Sequence, residues 1–313
     1  MKYLITGSSG YIGSNLIDRL KRNDKDVVGL YHKNKPTVHK KTVTYIQADI
    51  SENSFFTNLP QDIDVIIHCA ALVRDYGSKK AFYNVNVKGT ERLLQYAKTI
   101  GISQFIYLSH IQYEVKHRFN YYSDTKASSE AVLLDKRNQQ QVPITIIRPG
   151  NVFGPGSPVW VVRVLNSMKN DNFSLIEDGN GIFHHTYIQN LIDAIYLAVG
   201  NKNAFGQIFN ITDGDDSITF KEYFRELAQM IDKPKNFKNL SKKTALRIGT
   251  IMVLLYRITR IKPVISPSAV EILTNYKQIS IQNACTNLLY KPRVTYKDAM
   301  KEIERWIKYA YIN

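Results

Sequence analysis

The stretch KYLITGSSGYIGSNLIDRLKR, residues 2–22, decides the fold. Its first apolar residues, Tyr3 to Ile5, predict a short buried strand. Glycines follow at the spacing G-x-x-G-x-x-G, and apolar residues then recur at helical period. The stretch therefore predicts a strand, a tight glycine turn and a helix.

The three glycines, Gly7, Gly10 and Gly13, suit a turn that binds a dinucleotide. One lets the chain turn tightly, one lets backbone N–H groups reach a pyrophosphate, and one lets helix and strand pack closely. The positive end of the helix dipole also attracts phosphate. A tight turn without a ligand fits the same glycines, but a second strand, DVVGLYH at 26–32, favours the dinucleotide.

The end of this second strand usually selects the cofactor. A carboxylate there binds the ribose 2′-OH of NAD, whereas basic residues accommodate the 2′-phosphate of NADP. The strand ends in Tyr31, His32 and Lys33, without a carboxylate. These residues favour NADP over NAD, with Ser8 and Ser9 as further phosphate contacts, although Lys33 also fits a solvated loop.

Strands and helices go on alternating along the chain. The strand candidates are VTYIQADI (43–50), DVIIHCAAL (64–72), FIYLSHI (105–111) and ITIIRPG (144–150), and the helix candidates are VKGTERLLQYAKTIG (87–101) and DTKASSEAVLLDKR (124–137). This alternation predicts an α/β fold with a doubly wound parallel (Rossmann) sheet and ligands at the carboxyl ends of its strands. We expect an NAD(P)-binding domain at 1–154, completed by parts of 184–211, and a smaller, mainly substrate-binding domain at 155–313.

In this order the motifs resemble the extended short-chain dehydrogenase/reductase superfamily, the NAD(P)-dependent epimerase/dehydratase group. The similar motifs are TGSSGYIG (6–13), NVKGT (86–90), YSDTK (122–126), RPGNVFGPG (148–156) and the last helix, LLYKPRVTYKDAMKEIERWI (288–307). The resemblance covers nearly the whole chain. Within the superfamily, FNITDGDDSITFKEYF (209–224) resembles the 3β-hydroxysteroid dehydrogenase-like members.

The glycine turn and the resemblance together imply where the cofactor binds. By resemblance, Asp49 and Ile50 contact adenine and residues 68–72 lie beside the cofactor. The full set of expected contacts is Gly7, Ser9, Gly10, Tyr11, Ile12, Gly13, His32, Lys33, Asp49, Ile50, Ala70, Ala71, Leu72, Asn86, Lys126, Pro149, Asn151 and Val152.

The resemblance of YSDTK to the family's Y-x-x-x-K implies that Tyr122 and Lys126 are the catalytic pair, and as residues i and i+4 of a helix they share one face. A free tyrosine, with a pKa of about 10, is a poor base at neutral pH. A nearby ammonium and a positive nicotinamide favour the phenolate and lower that pKa. Tyr122 then takes a proton from a substrate hydroxyl, or donates one in the reverse direction. The resemblance implies that Lys126 also holds the nicotinamide ribose, and Tyr121 is the weaker candidate.

The strand before this helix departs from the family pattern. Aligning FIYLSH (105–110) with the family's F-V-Y-x-S-S puts Ser109 on the first, structural serine and His110 on the second, catalytic one. A neutral imidazole both donates and accepts hydrogen bonds, so His110 can polarise a carbonyl or move a proton. Two interpretations stay open: His110 acts, or His110 caps the strand end and faces solvent while Ser109 or a water acts. Tyr122 follows His110 by only twelve positions, a shorter connection than is usual in the family, which predicts a more open substrate side or its closure by other segments.

The predicted function is hydride transfer between nicotinamide and a secondary alcohol or ketone. A hydrophobic or β-hydroxy substrate is favoured, because Phe183 stands where sugar-nucleotide enzymes carry a phosphate-clamping Arg. Arg163 or Arg293 offers a replacement, so a sugar-nucleotide epimerase or dehydratase with tightly bound NAD stays open. A non-catalytic dinucleotide-sensing regulator is the second alternative. The adjacent His184 and His185 point opposite ways on a strand, and we expect no metal site.

Composition and charge limit the partners. Hydrophobic residues make up 44% of the 313 residues, which predicts a packed globular protein. Cys69 and Cys285 lie far apart, which favours a reducing cytoplasm without disulfides. The first residues run directly into the glycine turn, so no signal peptide is expected. Net charge is +15, but the basic residues are spread along the chain and no nucleic-acid partner is expected. We expect a small-molecule substrate and a homodimer.

The segment SKKTALRIGTIMVLLYRITRIK, residues 241–262, is apolar and basic at once. It fits a helix at a membrane interface or at a greasy substrate entry. It equally fits an amphipathic helix packed on the protein or on a dimer partner. Peripheral membrane contact of a cytoplasmic protein therefore stays open.

Overall fold

The computed structural model describes residues 1–36, 43–112, 120–171, 173–233 and 236–311. In chain order its strands are β1 (Lys2–Thr6), β2 (Asp26–Tyr31), β3 (Val43–Gln47), β4 (Val65–His68), β5 (Gln104–Leu108), β6 (Ile144–Pro149), β7 (Asn151–Phe153), β8 (Ser174–Ile176), β9 (His185–Tyr187), β10 (Ile208–Ile211) and β11 (Lys238–Leu240). The helices are α1 (Tyr11–Arg22), α2 (Lys79–Phe82), α3 (Gly89–Ile100), α4 (Tyr121–Leu134), α5 (Lys136–Gln139), α6 (Arg163–Lys169), α7 (Ile188–Ala198), α8 (Phe220–Met230), α9 (Lys242–Thr259), α10 (Pro267–Leu273), α11 (Gln282–Asn287) and α12 (Tyr296–Trp306).

Seven parallel strands form the main sheet, in the order β10-β6-β5-β4-β1-β2-β3. Tyr3 of β1 pairs with Val27 on one side and with Val65 on the other. The chain thus builds the sheet outward in one direction through β2 and β3, and in the other from β4 onward. This reversal between β1 and β4 confirms the doubly wound fold, and it opens a crevice at the carboxyl ends of these strands.

The sheet is buried on both faces, as its near-continuous apolar strands require. On one face, residues of α1 and α7 such as Leu16, Ile17 and Leu191 join the core. On the other, Leu93 and Leu94 of α3 pack against the same strands. Apolar residues at helical spacing therefore fix each helix against the sheet and hold the crevice in place.

The later part of the chain adds two short two-stranded sheets, β7 with β9 and β8 with β11. It also returns β10 to the edge of the main sheet beside β6. Helix α9 packs against α10. Among the helices of the described residues, none combines the length and apolarity that a membrane crossing needs.

Candidate active site

A cavity of about 1030 Å³ lies at the carboxyl edge of the sheet, where the strand order reverses. It is lined by the glycine turn, by the segments that follow β2 to β6, and by residues of α6 and of the chain after α9. All the catalytic and cofactor-binding residues expected from the sequence line it, except Asn86 and Lys126. The fold therefore brings together residues that are up to about half the chain apart.

In the glycine turn, Gly7 and Gly13 have no room for a side chain. Gly7 has a φ of +67°, and a Cβ there would stand 2.9 Å from the Ala70 nitrogen. A Cβ on Gly13 would stand 2.3 Å from the Gly7 oxygen. Helix α1 begins after Gly10, which caps it without a side-chain hydrogen bond, so the N–H groups of its first turn remain for a ligand. This cradle fits the pyrophosphate of a dinucleotide.

The two serines of the glycine turn lie in different environments. Ser9 lines the cavity, whereas the Ser8 hydroxyl donates to the Leu30 oxygen at 2.8 Å and is fully buried. The expectation that Ser8 reaches a phosphate is therefore wrong. Its hydroxyl instead ties the glycine turn to β2.

A buried histidine supports the turn from behind. The Thr90 hydroxyl donates to the backbone oxygen of Asn86. Its oxygen therefore accepts from His68 Nε2, which lies 3.0 Å away. Nδ1 of the same ring then accepts from the Thr6 hydroxyl at 2.6 Å, and Thr6 Oγ1 accepts from the Ala70 N–H. Burial lowers the pKa of His68 to about 3, so the ring stays neutral. This chain of hydrogen bonds fixes β1 against the loop that follows β4.

Asn86 acts on the same loop. Its Oδ1 accepts from the Leu72 N–H at 2.7 Å, and its Nδ2 donates to Thr125 Oγ1 at 3.0 Å. The side chain therefore joins the loop after β4 to α4 and lies behind the cavity wall. A direct contact of Asn86 with the cofactor stays a prediction.

The end of β2 is less basic than its sequence indicates. His32 Nε2 lies 3.1 Å from Asp49 Oδ2, and Asp49 Oδ1 accepts from the Ser51 N–H. Burial acts against ionisation, but the hydrogen bonds from Ser51 and the charges of His32 and Lys33 hold the pKa of Asp49 below its usual range. Reading β2 alone misses this carboxylate, because it comes from the segment after β3.

Tyr122, the second residue of α4, faces the cavity, with its ring centre 5.0 Å from that of His110. Lys126, one turn later, is 2% exposed. Its Nζ donates to the Leu108 oxygen and lies 4.0 Å from the centre of the Tyr107 ring. Burial raises the pKa of Tyr122, and the Lys126 charge opposes this without overcoming it. The predicted lowering of the Tyr122 pKa also depends on the charge of the nicotinamide, and it stays a prediction.

The sequence prediction did not include Glu130 of α4 among the site residues. Glu130 follows Lys126 by one more turn, is 3% exposed and pairs with Arg148, whose Nε donates to Oε1 at 2.9 Å. It also accepts from Gln112 Nε2 at 3.0 Å. Burial lowers the pKa of Lys126, and the charges of Tyr122 and Glu130 act in the opposite direction. The spacing of four residues after Lys126 was the signal that could have identified it.

Ser109 and His110 both reach the cavity. His110 Nε2 lies 2.8 Å from Ser123 Oγ, and burial lowers the pKa of His110 to about 3. The interpretation that His110 faces solvent is therefore wrong. Among the described residues, neither His110 Nδ1 nor Ser109 Oγ has a hydrogen-bond partner, and the same holds for Asn151 Nδ2. These buried polar atoms fit the polar groups of a dinucleotide and its substrate.

The short connection after His110 includes residues 113–119, which lie outside the described part of the chain. Its effect on access to the cavity stays a prediction.

The far end of the cavity is lined by apolar side chains beside the ion pair of Arg163 with Asp75. Val73, Val159 and Trp160 line it. Arg163 lies there too, but its Nη1 donates to Asp75 at 2.7 Å and its Nη2 to a backbone oxygen, that of Val264, at 3.0 Å. This end therefore offers contact area to an apolar group.

The other candidates from the sequence lie elsewhere. Arg293 is 73% exposed and does not line the cavity. Phe183 is fully buried and stacks on Tyr223 with 4.0 Å between ring centres. His184 Nε2 contacts the Lys277 oxygen, and His185 Nδ1 contacts Asp213. Over the described ranges, no group of three side chains is placed to bind a metal ion.

Comparison with known proteins gives a matching family model, related enzymes and solved structures of similar fold. The model of the NAD dependent epimerase/dehydratase family matches residues 3–212. The chain is 24% identical to 2-alkyl-3-oxoalkanoate reductase of Stenotrophomonas maltophilia, over 97% of this chain and 98% of that protein. It is 27% identical to a decarboxylating sterol-4-alpha-carboxylate 3-dehydrogenase of Candida albicans, over 97% of each. UDP-glucuronic acid 4-epimerase from Bacillus cereus, solved in complex with NAD, has a similar fold, with a TM-score of 0.75, 25% identity and coverage of 98% and 99%.

Proposed function

The chain belongs to the NAD-dependent epimerase/dehydratase family, and from this premise we propose that it is an oxidoreductase. It transfers hydride between a nicotinamide dinucleotide and a secondary alcohol or ketone on a hydrophobic or β-hydroxy substrate. One observation carries this proposal. Tyr122, Ser109 and a neutral His110 meet at one wall of the cavity, beside its apolar end.

In the proposed reaction the bound cofactor supplies or accepts the hydride. The raised pKa of Tyr122 keeps its hydroxyl protonated at neutral pH, so it donates a proton to the carbonyl oxygen as the ketone is reduced. Lys126, behind it, stabilises the phenolate that remains. Ser123 occupies one ring nitrogen of His110, which leaves Nδ1, with Ser109 Oγ, to orient the substrate oxygen.

We propose NADP rather than NAD as the cofactor. His32 and Lys33 line the adenosine end of the cavity, and both are exposed. Asp49 is the carboxylate nearest to them, and His32 and the Ser51 N–H already engage its two oxygens. The basic side chains of His32 and Lys33 at this place suit a 2′-phosphate.

We also propose a domain boundary after residue 154, a homodimer, a cytoplasmic location and a contact of residues 241–262 with a membrane surface. The direct cofactor contacts of the cavity residues, and of Asn86 and Lys126, are also proposals.

Mixing the purified chain and NADPH, or NADH in a parallel assay, with a hydrophobic 3-oxo compound tests the function. We expect reduced-nicotinamide absorbance to fall, with tighter binding of NADPH than of NADH. An epimerase would instead purify with bound NAD and convert a UDP-sugar without added cofactor, and this result would overturn the proposal. Tight cofactor binding without turnover of either substrate would favour a regulator.

Substitutions at Ser109 and His110 test which group orients the substrate. We expect His110→Ala to lower kcat/KM by about 10²-fold, because it removes a preorganised donor beside Tyr122. We expect His110→Ser to recover part of this loss and Ser109→Ala to have the smaller effect. Since the pKa of His110 is about 3, the wild-type pH profile should show no step near pH 6.5. A step there that disappears in His110→Ala would contradict the neutral imidazole.

A further inference from the structure

Helix α9 exposes an apolar surface. Its outward side chains, with the residue after the helix that continues them, are named the α9 surface: Ile248, Ile251, Leu254, Leu255, Ile258 and Ile261. Ile258 is 84% exposed, Ile261 71% and Ile251 57%. Single exposed apolar residues are common, but a contiguous row of them indicates an interaction site.

The helix is attached to the protein by its small residues. Ala245, Gly249 and Val253 are its buried positions, and a Cβ on Gly249 would stand 3.1 Å from the Pro267 nitrogen. At about 100° per residue, these positions lie on one side of the helix and Ile251 and Leu255 lie on the opposite side. The larger apolar residues therefore face away from the core.

The charge around this surface has one sign. Residues 241–262 contain six basic residues and no acidic one. Lys243, Arg247, Arg260 and Lys262 among them are exposed. A surface that is apolar with a basic margin complements a bilayer that carries anionic headgroups.

The α9 surface adjoins the mouth of the large cavity. Tyr256 of α9 contacts Tyr76 of the cavity wall, with 4.6 Å between ring centres. Lys262, shortly after the helix, lines the cavity itself. Val73 and Val159, two further lining residues, are 58% and 41% exposed. Apolar side chains thus continue from α9 to the cavity.

We propose that the α9 surface docks on a lipid bilayer that contains anionic phospholipids. The Ile and Leu side chains enter the boundary between headgroups and acyl chains, while Lys243, Arg247 and Lys262 contact phosphates. The contact is peripheral, since α9 does not meet the requirements of a membrane-crossing helix. A second copy of the chain is the poorer partner, because two surfaces of the same positive sign repel each other.

Docking places the cavity mouth at the bilayer, and an amphiphilic substrate then enters from the membrane. This second step rests on the proposed oxidoreductase function. The docking itself does not, since it involves neither the cofactor nor the catalytic residues.

Sedimentation of the full chain with vesicles tests the docking, without cofactor or substrate. We expect binding to vesicles of phosphatidylcholine mixed with phosphatidylglycerol, weaker binding at high salt, and little binding to phosphatidylcholine alone. The double variant Ile251→Asp/Ile258→Asp should bind at least tenfold more weakly, and Arg247→Ala about fivefold more weakly. Matched controls are Leu289→Asp and Lys202→Ala, which change exposed residues elsewhere.

Equal binding by the double variant and by Leu289→Asp would overturn the docking, as would the absence of binding to anionic vesicles. A homodimer that dissociates in the double variant, without vesicle binding by the wild type, would assign the surface to a second copy and also overturn it.

Substrate entry is tested on the same variants with a long-chain 3-oxo compound in vesicles and a short-chain one in solution. We expect the double variant to lose at least fivefold in rate on the first and nothing on the second. Equal rates of the double variant and the wild type on both compounds would overturn entry from the bilayer. Inactivity of the wild type on both compounds would instead count against the proposed function, whatever the vesicle binding.

Discussion

Tyr122→Phe is expected to lower kcat of the proposed reduction by about 10²–10⁴-fold, with cofactor affinity unchanged. The substitution removes only the hydroxyl that donates the proton, and it keeps the ring that packs 5.0 Å from the His110 ring. Lys126 keeps its hydrogen bond to the Leu108 oxygen. Steady-state kinetics and a fluorescence titration with NADPH measure the two quantities separately.

The pH dependence of the wild type follows from the same hydroxyl. Burial raises the pKa of Tyr122 above its ordinary value of 10.0 in the protein without ligands. Reduction uses the protonated phenol, so its rate should not fall as the pH rises from neutral towards 10. Oxidation uses the phenolate, so its rate should rise over the same range.

Tyr121→Phe is the matched control, because it removes the same hydroxyl from the preceding residue of α4. Tyr121 Oη accepts from Arg257 Nη2 at 3.5 Å, and its side chain does not line the cavity. Near-normal turnover in Tyr121→Phe and a large loss in Tyr122→Phe would identify the proton donor. Full turnover in Tyr122→Phe would exclude Tyr122 from that role.

The sheet could be predicted because its signals are local. The glycine turn, the apolar strands and the Tyr–Lys spacing each occupy a few consecutive residues, and their order along the chain gives the doubly wound topology. The contacts that stabilise the site are different. Thr6 and His68 are 62 residues apart, and Arg148 and Glu130 are 18 apart. No local pattern states that such pairs meet.

Charge and burial explain the other differences. A strand-by-strand reading found no carboxylate after β2, because Asp49 reaches His32 from a neighbouring strand. A sequence shows that Lys126 is near Tyr122, and it does not show how deeply the cavity wall buries the phenol. Desolvation, which depends on the whole fold, outweighs the one charge that the spacing reveals. For residues 241–262 the pattern left two interpretations, and the fold decides which side of α9 is exposed.

Gly13→Ala is expected to weaken cofactor binding by about 10–100-fold, which corresponds to an overpacking cost of about 1–3 kcal/mol. The added Cβ would lie 2.3 Å from the Gly7 oxygen, a backbone atom that cannot swing away like a side chain. Gly7 has little room to retreat, because it lies against the backbone of Ala70. The turn must therefore move away from α1, and its N–H groups leave the position that binds pyrophosphate. Isothermal titration with NADPH measures the loss.

Gly101→Ala separates this effect from a general loss of stability. Gly101 ends α3 with a φ of +68°, and a Cβ there would contact nothing within 4 Å. A left-handed alanine costs about 1–2 kcal/mol, so this variant is destabilised to a similar degree. It lies outside the residues that line the cavity, and its affinity for NADPH should stay at the wild-type value. If Gly13→Ala, with native circular dichroism, also bound NADPH like the wild type, the glycine turn would not be the pyrophosphate site.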